Sequence, residues 1–509
     1  MTRLGLLCSA SIVSICLSSP ALADLTAAEA WEDWLDYFAL QGYDVSGTET
    51  RAGDTLTISD FVIELDVETS EMPVGTVSFK VPELVFTEIE DGSVEIGMSS
   101  RSKFVFESTD DLPEPVDLTL TYATDDLEMR MEGVPGDTTY FFDADAITLS
   151  LDELSIDDAP PPVSVSFVMV LNDVKGRSEM TDEDTSGALF QAFGADSLQG
   201  QMRFQSDEAG VDVDVNMRLD ALSSEGAIVL PEGVSTIDTL EALKAGFAFD
   251  GDFEISGSQF GVNAQTPQGP FSLDMAGAST RAEFSMSLED GLTYAAERGA
   301  VELNASTLFL PVPISVAMAS TIFDVKMPFM TGESQNFGLA FEVNELSMAD
   351  ALWDLFDPGQ QLSRDPASIQ LGVEGRGTYF VDIFDPEAIA ELEESGGLPG
   401  ELETLTLTNL LVEAAGAALT GGGDFEFDNS ELEETGVPKA IGAIDLKLVG
   451  GNGLLDSLVA AGLLPEEQAL GARMMLGLFA RPGDGEDTLT SNIEFNEEGH
   501  ILANGQRIQ

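Results

Sequence analysis

Most of the chain alternates apolar and polar residues with a period of two, the pattern of strands that have one dry face and one wet face. The clearest run is 211–219, VDVDVNMRL, where every odd position is apolar and every even position is polar. Shorter runs of the same kind lie at 56–66, 74–81, 93–106, 247–255, 284–288, 425–427 and 444–448. The pattern predicts a mainly β fold built from one long curved antiparallel sheet, or from several such sheets.

Five dipeptides allow positive φ and predict tight hairpin turns between these strands. They are Asp91-Gly92, Asp250-Gly251, Asp290-Gly291, Glu498-Gly499 and Asn504-Gly505. Helical periodicity is rarer. It begins at 26–42, where Thr26 and Glu29 form a capping box and Gly42 ends the helix. Further short helices are predicted near 187–193, 236–245, 348–356, 386–394, 453–463 and 465–479.

We expect these few helices to pack against the apolar face of the sheet. Their apolar side chains are therefore the candidate residues for any apolar surface that the protein uses. The candidates are Trp31, Trp34, Leu35, Phe38, Trp353, Leu454, Leu455 and Leu458.

The N-terminal segment has the pattern of a secretory signal peptide. Arg3 precedes an apolar stretch over 4–17, and the small residues of 21–23 precede an expected cleavage after Ala23. The cysteines at 8 and 16 follow Leu7 and Ile15 rather than small residues, so neither predicts a lipid-modified terminus. The sequence therefore predicts a periplasmic protein with a signal peptide over 1–23 and a β-rich mature region over 24–509. Subdivisions of that region are predicted near 160 and 358, where proline-rich turns occur.

Residues 304–323 carry no charge over a length that could span a membrane as a helix. Pro311 and Pro313 would break such a helix near its middle. Two strands around a proline-containing turn fit the segment better, and no transmembrane span is predicted in the mature chain.

The amino-acid composition of the chain excludes several classes of function. The chain has 92 acidic and 21 basic residues, a formal charge of −71 that would repel nucleic acid. Because 43% of its residues are hydrophobic, the chain is expected to fold despite this charge. Two cysteines and one histidine exclude most nucleophilic triads and Cys/His metal sites. The acids are spread along the chain, which indicates a hydrated acidic surface rather than an acidic tail.

Two local motifs resemble ligand sites and fail on their chemistry. The segment 449–456 resembles a dinucleotide fingerprint, but Asp456 stands where the third glycine belongs and would face the phosphates. The triplet Asp212-x-Asp214-x-Asn216 begins like a calcium loop, but Met217 and Ser223 occupy the positions of the required glycine and glutamate. No cofactor and no metal site are predicted.

Six segments together resemble a known family. They are 353–358 (WDLFDP) with 364–366 (RDP), 442–456 (GAIDLKLVGGNGLLD), 463–468 (LLPEEQ), 471–476 (GARMML) and 503–506 (ANGQ). The sequence over about 340–509 resembles the alphaproteobacterial family called domain of unknown function 2125. That family has no assigned activity, so no catalytic residue follows from it. The resemblance implies an exported β-rich envelope protein, with a remote likeness to AsmA-type proteins, whose curved sheets present an apolar groove to lipid.

Three hypotheses of function follow. The leading one is a non-enzymatic periplasmic envelope protein that binds lipid or another apolar small molecule in a β-groove. The first alternative is an inert structural or scaffold protein of the envelope, in which two sheets bury the same residues against each other. The second alternative is a carboxylate-based hydrolase, although no pair can be chosen among 92 acids. Protein partners, oligomeric state and the identity of the ligand stay open.

Overall fold

The structure is a computed structural model that describes residues 25–40, 43–68, 73–109, 115–157, 159–183, 186–231, 239–382 and 385–509. The predicted signal peptide lies outside the described residues. Seven helices occur in them: α1 (Ala27–Leu40), α2 (Thr239–Lys244), α3 (Asp350–Trp353), α4 (Pro386–Ser395), α5 (Leu432–Thr435), α6 (Gly451–Ala460) and α7 (Glu466–Phe479).

The same residues form 28 strands. In chain order they are β1 (Asp44–Ala52), β2 (Thr55–Glu68), β3 (Pro73–Glu88), β4 (Val94–Met98), β5 (Arg101–Ser108), β6 (Val116–Asp125), β7 (Glu128–Val134), β8 (Asp137–Ile156), β9 (Ser164–Glu183), β10 (Ser186–Ser206), β11 (Val211–Pro231), β12 (Ala248–Ile255), β13 (Gly257–Thr266), β14 (Gly269–Gly277), β15 (Thr280–Ser287), β16 (Gly291–Arg298), β17 (Val301–Thr307), β18 (Ile314–Met318), β19 (Ser320–Met327), β20 (Ser334–Met348), β21 (Ala367–Tyr379), β22 (Gly400–Ala414), β23 (Ala417–Asp428), β24 (Lys439–Val449), β25 (Arg481–Pro482), β26 (Thr488–Phe495), β27 (Ile501–Ala503) and β28 (Gln506–Arg507).

All 28 strands of the described residues belong to one antiparallel sheet, and the helices between them are few and short, which confirms the mainly β prediction. The sheet is a meander, because each strand pairs with strands close to it in sequence. At several places two shorter strands lie end to end and pair with one long strand, as where β12 and β13 both pair with β11. The ladder runs past 160 through the β8–β9 pairing and past 358 through the β20–β21 pairing. Neither position interrupts the sheet, and a division of the chain there stays a prediction.

A line of irregular positions crosses the strands and we call it the crease. Four of its residues within strands are not glycine and have left-handed backbone: Asp60 in β2 (φ 52°), Asp173 in β9 (φ 50°), Ala221 in β11 (φ 47°) and Glu345 in β20 (φ 53°). The gaps between β12 and β13 and between β18 and β19 continue the same line, since Ala221 and Glu345 lie opposite them.

The crease shifts the alternation of side chains by one residue. Ile58 and Phe61 in β2 are three positions apart, yet both are buried in the same core. The same spacing separates Ala195 from Leu198 and Leu219 from Leu222, and these four residues pack in a second cluster. One face of the sheet therefore stays apolar on both sides of the crease.

The crease provides a test at Ala221, an exposed residue whose β-carbon is strained by left-handed backbone. We expect Ala221→Gly to raise the free energy of unfolding by up to about 1 kcal/mol. Ala221→Val should lower it, because β-branched residues are outliers in this conformation. Urea unfolding of both variants measures the change, and a shift in the same direction for both would contradict a left-handed backbone at this position.

Helix α1 begins with the predicted capping box. The Thr26 N–H donates to Glu29 Oε2 (2.9 Å), and the Glu29 N–H donates back to Thr26 Oγ1 (3.3 Å). The helix packs on β1–β3, where Trp31 is only 5% exposed and its ring centroid lies 5.6 Å from that of Phe61. Aromatic and aliphatic residues of β2, β3, β4 and β7 complete this core. A helix thus covers the apolar side of the sheet at its N-terminal end.

Asp33 on α1 is a buried carboxyl group, and its Oδ2 has no hydrogen-bonding partner among the described residues. Burial raises its pKa, while hydrogen bonds with Thr138 and the backbone of Gly136 partly oppose the rise. A raised pKa means that the folded state binds the proton more tightly than the unfolded state does. Asp33 therefore destabilises the fold above its folded pKa and less so as the pH falls through it.

We expect Asp33→Asn to raise the melting temperature at pH 7, with a difference from the native protein that shrinks as the pH is lowered through the carboxyl range. Asparagine keeps a side-chain oxygen for Thr138 and carries no charge. Thermal unfolding followed by circular dichroism between pH 4 and pH 7 checks this. A variant less stable than the native protein at pH 7 would show that the charged form of Asp33 is stabilising.

Two local predictions are wrong. The helix expected near 187–193 is part of β10, because Leu189 and Phe193, four residues apart, fit a strand as well as a helix, and pairing with β9 and β11 selects the strand. Asp250-Gly251 is not a turn but lies inside β12, where Gly251 pairs with Gly226 and with Phe284. Pairing partners from distant segments override the local turn preference.

The other helices and turns lie where they were predicted. The helices α2, α3, α4, α6 and α7 overlap the expected segments. Gly92, Gly291, Gly499 and Gly505 have φ values between 77° and 88°. Residues 304–323 form strands around the proline-containing turn between β17 and β18, and they continue into β19. No helix among the described residues is long and apolar enough to cross a bilayer.

Candidate functional site

A row of apolar residues crosses nine strands on one face of the sheet. Each member is the register partner of the next, so all members point to the same side. With adjacent strands about 4.8 Å apart, the row extends for about 38 Å. Its members are Leu149, Met169, Gly200, Met217, Phe260, Met275, Leu303, Val316 and Met348.

A second row runs on the other side of the crease and reaches further toward the C-terminus. It crosses eleven strands from β8 to β22, and one serine is its only polar member. We call the surface formed by the two rows the apolar face. The members of the second row are Phe142, Gly176, Phe193, Ser224, Phe253, Ala282, Ala296, Phe323, Phe341, Leu371 and Leu410.

Much of the apolar face is open to solvent. Phe253, Phe260, Phe323 and Phe341 are between 37% and 41% exposed. The helix packing concentrates at the ends of the sheet, with α1 against β1–β3 and α6 against β23. The four phenylalanines lie on β12, β13, β19 and β20, between these two ends. Adjoining apolar side chains that are open to water mark an interaction surface.

A pocket of about 280 Å³ interrupts the apolar face at β10, β11, β12 and β15. It exists because Gly226 and Gly251 pair across two strands and leave no side chains between the surrounding rings. A β-carbon at Gly251 would lie 3.1 Å from the ring of Phe249, whose centroid is 5.3 Å from that of Phe284. Aromatic walls over glycine backbone form a slot suited to an apolar chain.

The opposite face carries the charge. Arg203 forms a two-point contact with Asp212, with Nε–Oδ1 at 3.0 Å and Nη2–Oδ2 at 2.7 Å, and it also reaches Asp214. The hydrogen bond from Arg203 holds the pKa of Asp212 below its usual range. The two aspartates of the calcium-like triplet are therefore strand residues paired with an arginine. In the part of the chain that the structure describes, no three His, Cys, Asp or Glu side chains are grouped to hold a metal.

The dinucleotide-like segment ends in a helix N-terminus that this chain fills with its own carboxylate. The N–H groups of Asn452 and Gly453 donate to Asp487 at 3.2 and 2.9 Å, and the Asn452 side chain adds a third bond at 2.8 Å. These bonds, with the Gly453 N–H first, lower the pKa of Asp487. The carboxylate takes the place that a phosphate would need.

The structure places the predicted surface residues in three separate regions. Trp31, Trp34, Leu35 and Phe38 lie in the core under α1 and are buried or partly buried. Trp353 lies on α3, beside the ring of Phe356 at 5.1 Å. Leu454, Leu455 and Leu458 are half-buried on α6 at the C-terminal end of the sheet.

The residues of the two rows were not among those candidates. Their signal in the sequence is the apolar alternation within each strand, interrupted by the three-residue step at the crease. Register, which decides that they align into rows, depends on strand pairing and is not visible in the alternation alone.

Comparison with known proteins adds little to this description. No family model matches the chain, and no curated protein matches it. Among solved structures, the chain is similar to BauA, the ferric preacinetobactin receptor from Acinetobacter baumannii, at 8% identity and a TM-score of 0.16. The match covers 91% of this chain and 78% of the receptor. A TM-score this low supports no inference about fold or function.

Proposed function

We propose that this protein is a non-enzymatic protein of the bacterial envelope that holds acyl chains of lipid, or another apolar ligand, against the apolar face. The observation that carries the proposal is the register that aligns apolar residues across nine strands in the first row and, apart from Ser224, across eleven strands in the second. A sheet that only needed a wet surface on this side would carry polar residues there, as its other face does.

The size and polarity of the face support a ligand with an extended hydrocarbon part. The first row is longer than the roughly 30 Å hydrocarbon thickness of a bilayer. Apart from Gly200, its members are aliphatic, aromatic and methionine side chains, and methionine adapts its shape to irregular apolar partners. The pocket beside Phe249 and Phe284 would anchor one end of such a chain. The likeness to AsmA-type proteins is part of this proposal, as is kinship with the family called domain of unknown function 2125.

Export to the periplasm is also proposed, on the signal-like pattern before Ala23. N-terminal sequencing of the protein recovered from a periplasmic fraction should begin at Asp24. Recovery of the full-length chain from the cytosol would contradict this part of the proposal.

The proposal is tested by extracting the protein with organic solvent after purification from a periplasm without detergent. Mass spectrometry of the extract should find lipid in a constant ratio to protein, and the delipidated protein should take up a fluorescent long-chain fatty acid. A lipid-free extract together with no uptake of the fluorescent probe would favour the scaffold alternative, in which the apolar face is covered by protein.

A further inference from the structure

The turn between β17 and β18, residues 308–313, projects apolar side chains into solvent. Phe309 is 84% exposed and Leu308 is 66% exposed, in a turn of sequence LFLPVP. Phe309 has the greatest exposure of any large hydrophobic side chain in the described residues. Adjoining exposed apolar side chains, here Leu308, Phe309 and Leu310, mark an interaction surface.

The backbone of this turn suits an apolar environment, because two of its N–H groups are hydrogen-bonded to Thr307 and two of its residues are prolines. The Phe309 N–H donates to Thr307 Oγ1 (3.3 Å), and the Leu310 N–H donates to the Thr307 carbonyl (3.4 Å). Pro311 and Pro313 have no N–H group to satisfy. Few backbone donors of the turn would therefore lose water on entering a lipid interface.

Charge singles out the same segment. Residues 304–323 contain no charged side chain, although the whole chain has a formal charge of −71. An acidic surface is repelled by anionic lipid and must lose its hydration to approach any bilayer. The turn can enter the interface without burying a carboxylate of its own.

Other exposed apolar residues occupy the same ends of the strands. The Ala349 N–H donates to the Ser315 carbonyl (2.9 Å), which places α3 next to the start of β18, and the following residues Leu355 and Phe356 are 49% and 39% exposed. Helix α7 follows β24 at these strand ends and exposes Leu470, Met474 and Leu478, spaced by four residues along one helix face, by 55% or more. We call this end of the sheet the apolar rim.

We infer that the apolar rim docks on a lipid bilayer, with Phe309 and its two neighbouring leucines entering the interface of a zwitterionic leaflet. Ala305 and Ile314, which pair at the base of the turn, lie on the side of the sheet that bears the apolar face, so the inserted turn is continuous with that face. Docking does not depend on the proposed lipid binding. If both hold, the rim is the point at which an acyl chain passes between the bilayer and the sheet.

The test is flotation of the mature chain with phosphatidylcholine vesicles. We expect the native protein to float and Phe309→Glu to lower the vesicle partition coefficient about tenfold. Met474→Glu should also lower it. The matched control is Val437→Glu, which places the same charge on an apolar residue of 68% exposure in the turn before β24, at the opposite ends of the strands, and should bind as the native protein does. Circular dichroism must show that all variants are folded.

The Phe309→Trp variant adds a spectroscopic test, because the fluorescence emission of the new tryptophan should shift to the blue when vesicles are added. The shift should weaken as phosphatidylglycerol is added at low salt, since anionic lipid repels the acidic protein. Absence of flotation, or equal flotation of Phe309→Glu and Val437→Glu, would overturn the inference. Self-association in sedimentation without vesicles, lost in Phe309→Glu, would overturn it in favour of a second copy on the rim. Vesicle binding in a protein that carries no extractable lipid and takes up no fluorescent fatty acid would leave docking intact and remove the proposed function.

Discussion

Phe260→Glu should weaken fatty-acid binding by roughly ten- to a hundredfold, the loss expected when a buried Phe–ligand contact is removed and a charge faces the hydrocarbon. Phe260 lies near the middle of the first row, between Met217 and Met275 in the register. It is 37% exposed, so the substitution removes little packing within the protein. Titration of the delipidated protein with the fluorescent fatty acid measures the dissociation constant.

The neighbouring residue provides a matched control. Gln259 is exposed on the opposite face of β13, where it pairs with Arg218 and Ala276. Gln259→Glu introduces the same side chain one position away and should leave the dissociation constant unchanged. Equal loss in both variants would indicate a general effect of charge or of stability. No loss in Phe260→Glu would mean that the ligand does not lie on the first row.

The alternation in β11 shows how much of this site the sequence can predict. In 211–219 the period of two assigns each side chain to a face, because neighbouring side chains of a strand point in opposite directions. Which strands then lie side by side, and in what register, depends on contacts between segments that are distant in sequence. The sequence therefore predicts the existence of an apolar side but not its extent.

The crease shows a second limit of prediction from the sequence. Asp60 and Asp173 belong to a residue type that tolerates left-handed backbone, but Ala221 and Glu345 carry no such preference. The repeated three-residue apolar step, from Ile58 to Phe61 and again across β10 and β11, is the one local signal of the shift. A strict period of two would assign the side chains that follow the crease to the wrong face of the sheet.

The N-terminus of α6 shows a third limit of prediction from the sequence, because the residue that caps this helix is distant in the chain. Asp487 lies 35 residues after Asn452 in the chain, and the turn before β26 brings it to the helix N-terminus. The sequence alone shows a helix start that lacks a local cap. The rejection of a dinucleotide site was based on Asp456, whereas the structure adds a second carboxylate that occupies the site itself.

The largest change in stability is expected from Trp31→Ala, which should cost about 3–5 kcal/mol of local stability in the N-terminal part of the sheet. Trp31 contacts the rings of Phe61 and Phe86, with centroids 5.6 and 5.7 Å away, and its Nε1–H donates to Glu49 Oε1 at 3.0 Å. The truncation leaves a cavity under α1 and an unpaired carboxylate at the edge of that core.

Hydrogen exchange should locate this loss, because each strand of a meander contacts mainly its neighbours and stability is transmitted along the sheet only over short distances. Amide protons of α1 and β1–β4 should exchange faster in Trp31→Ala, while those of β20–β24 keep their native rates. Trp353→Ala is the matched control, since its ring is half-buried and contacts a Phe356 that is itself 39% exposed. It should change the free energy of unfolding by less than about 1 kcal/mol. Faster exchange throughout the sheet in Trp31→Ala would show that the 28 strands unfold as one cooperative unit.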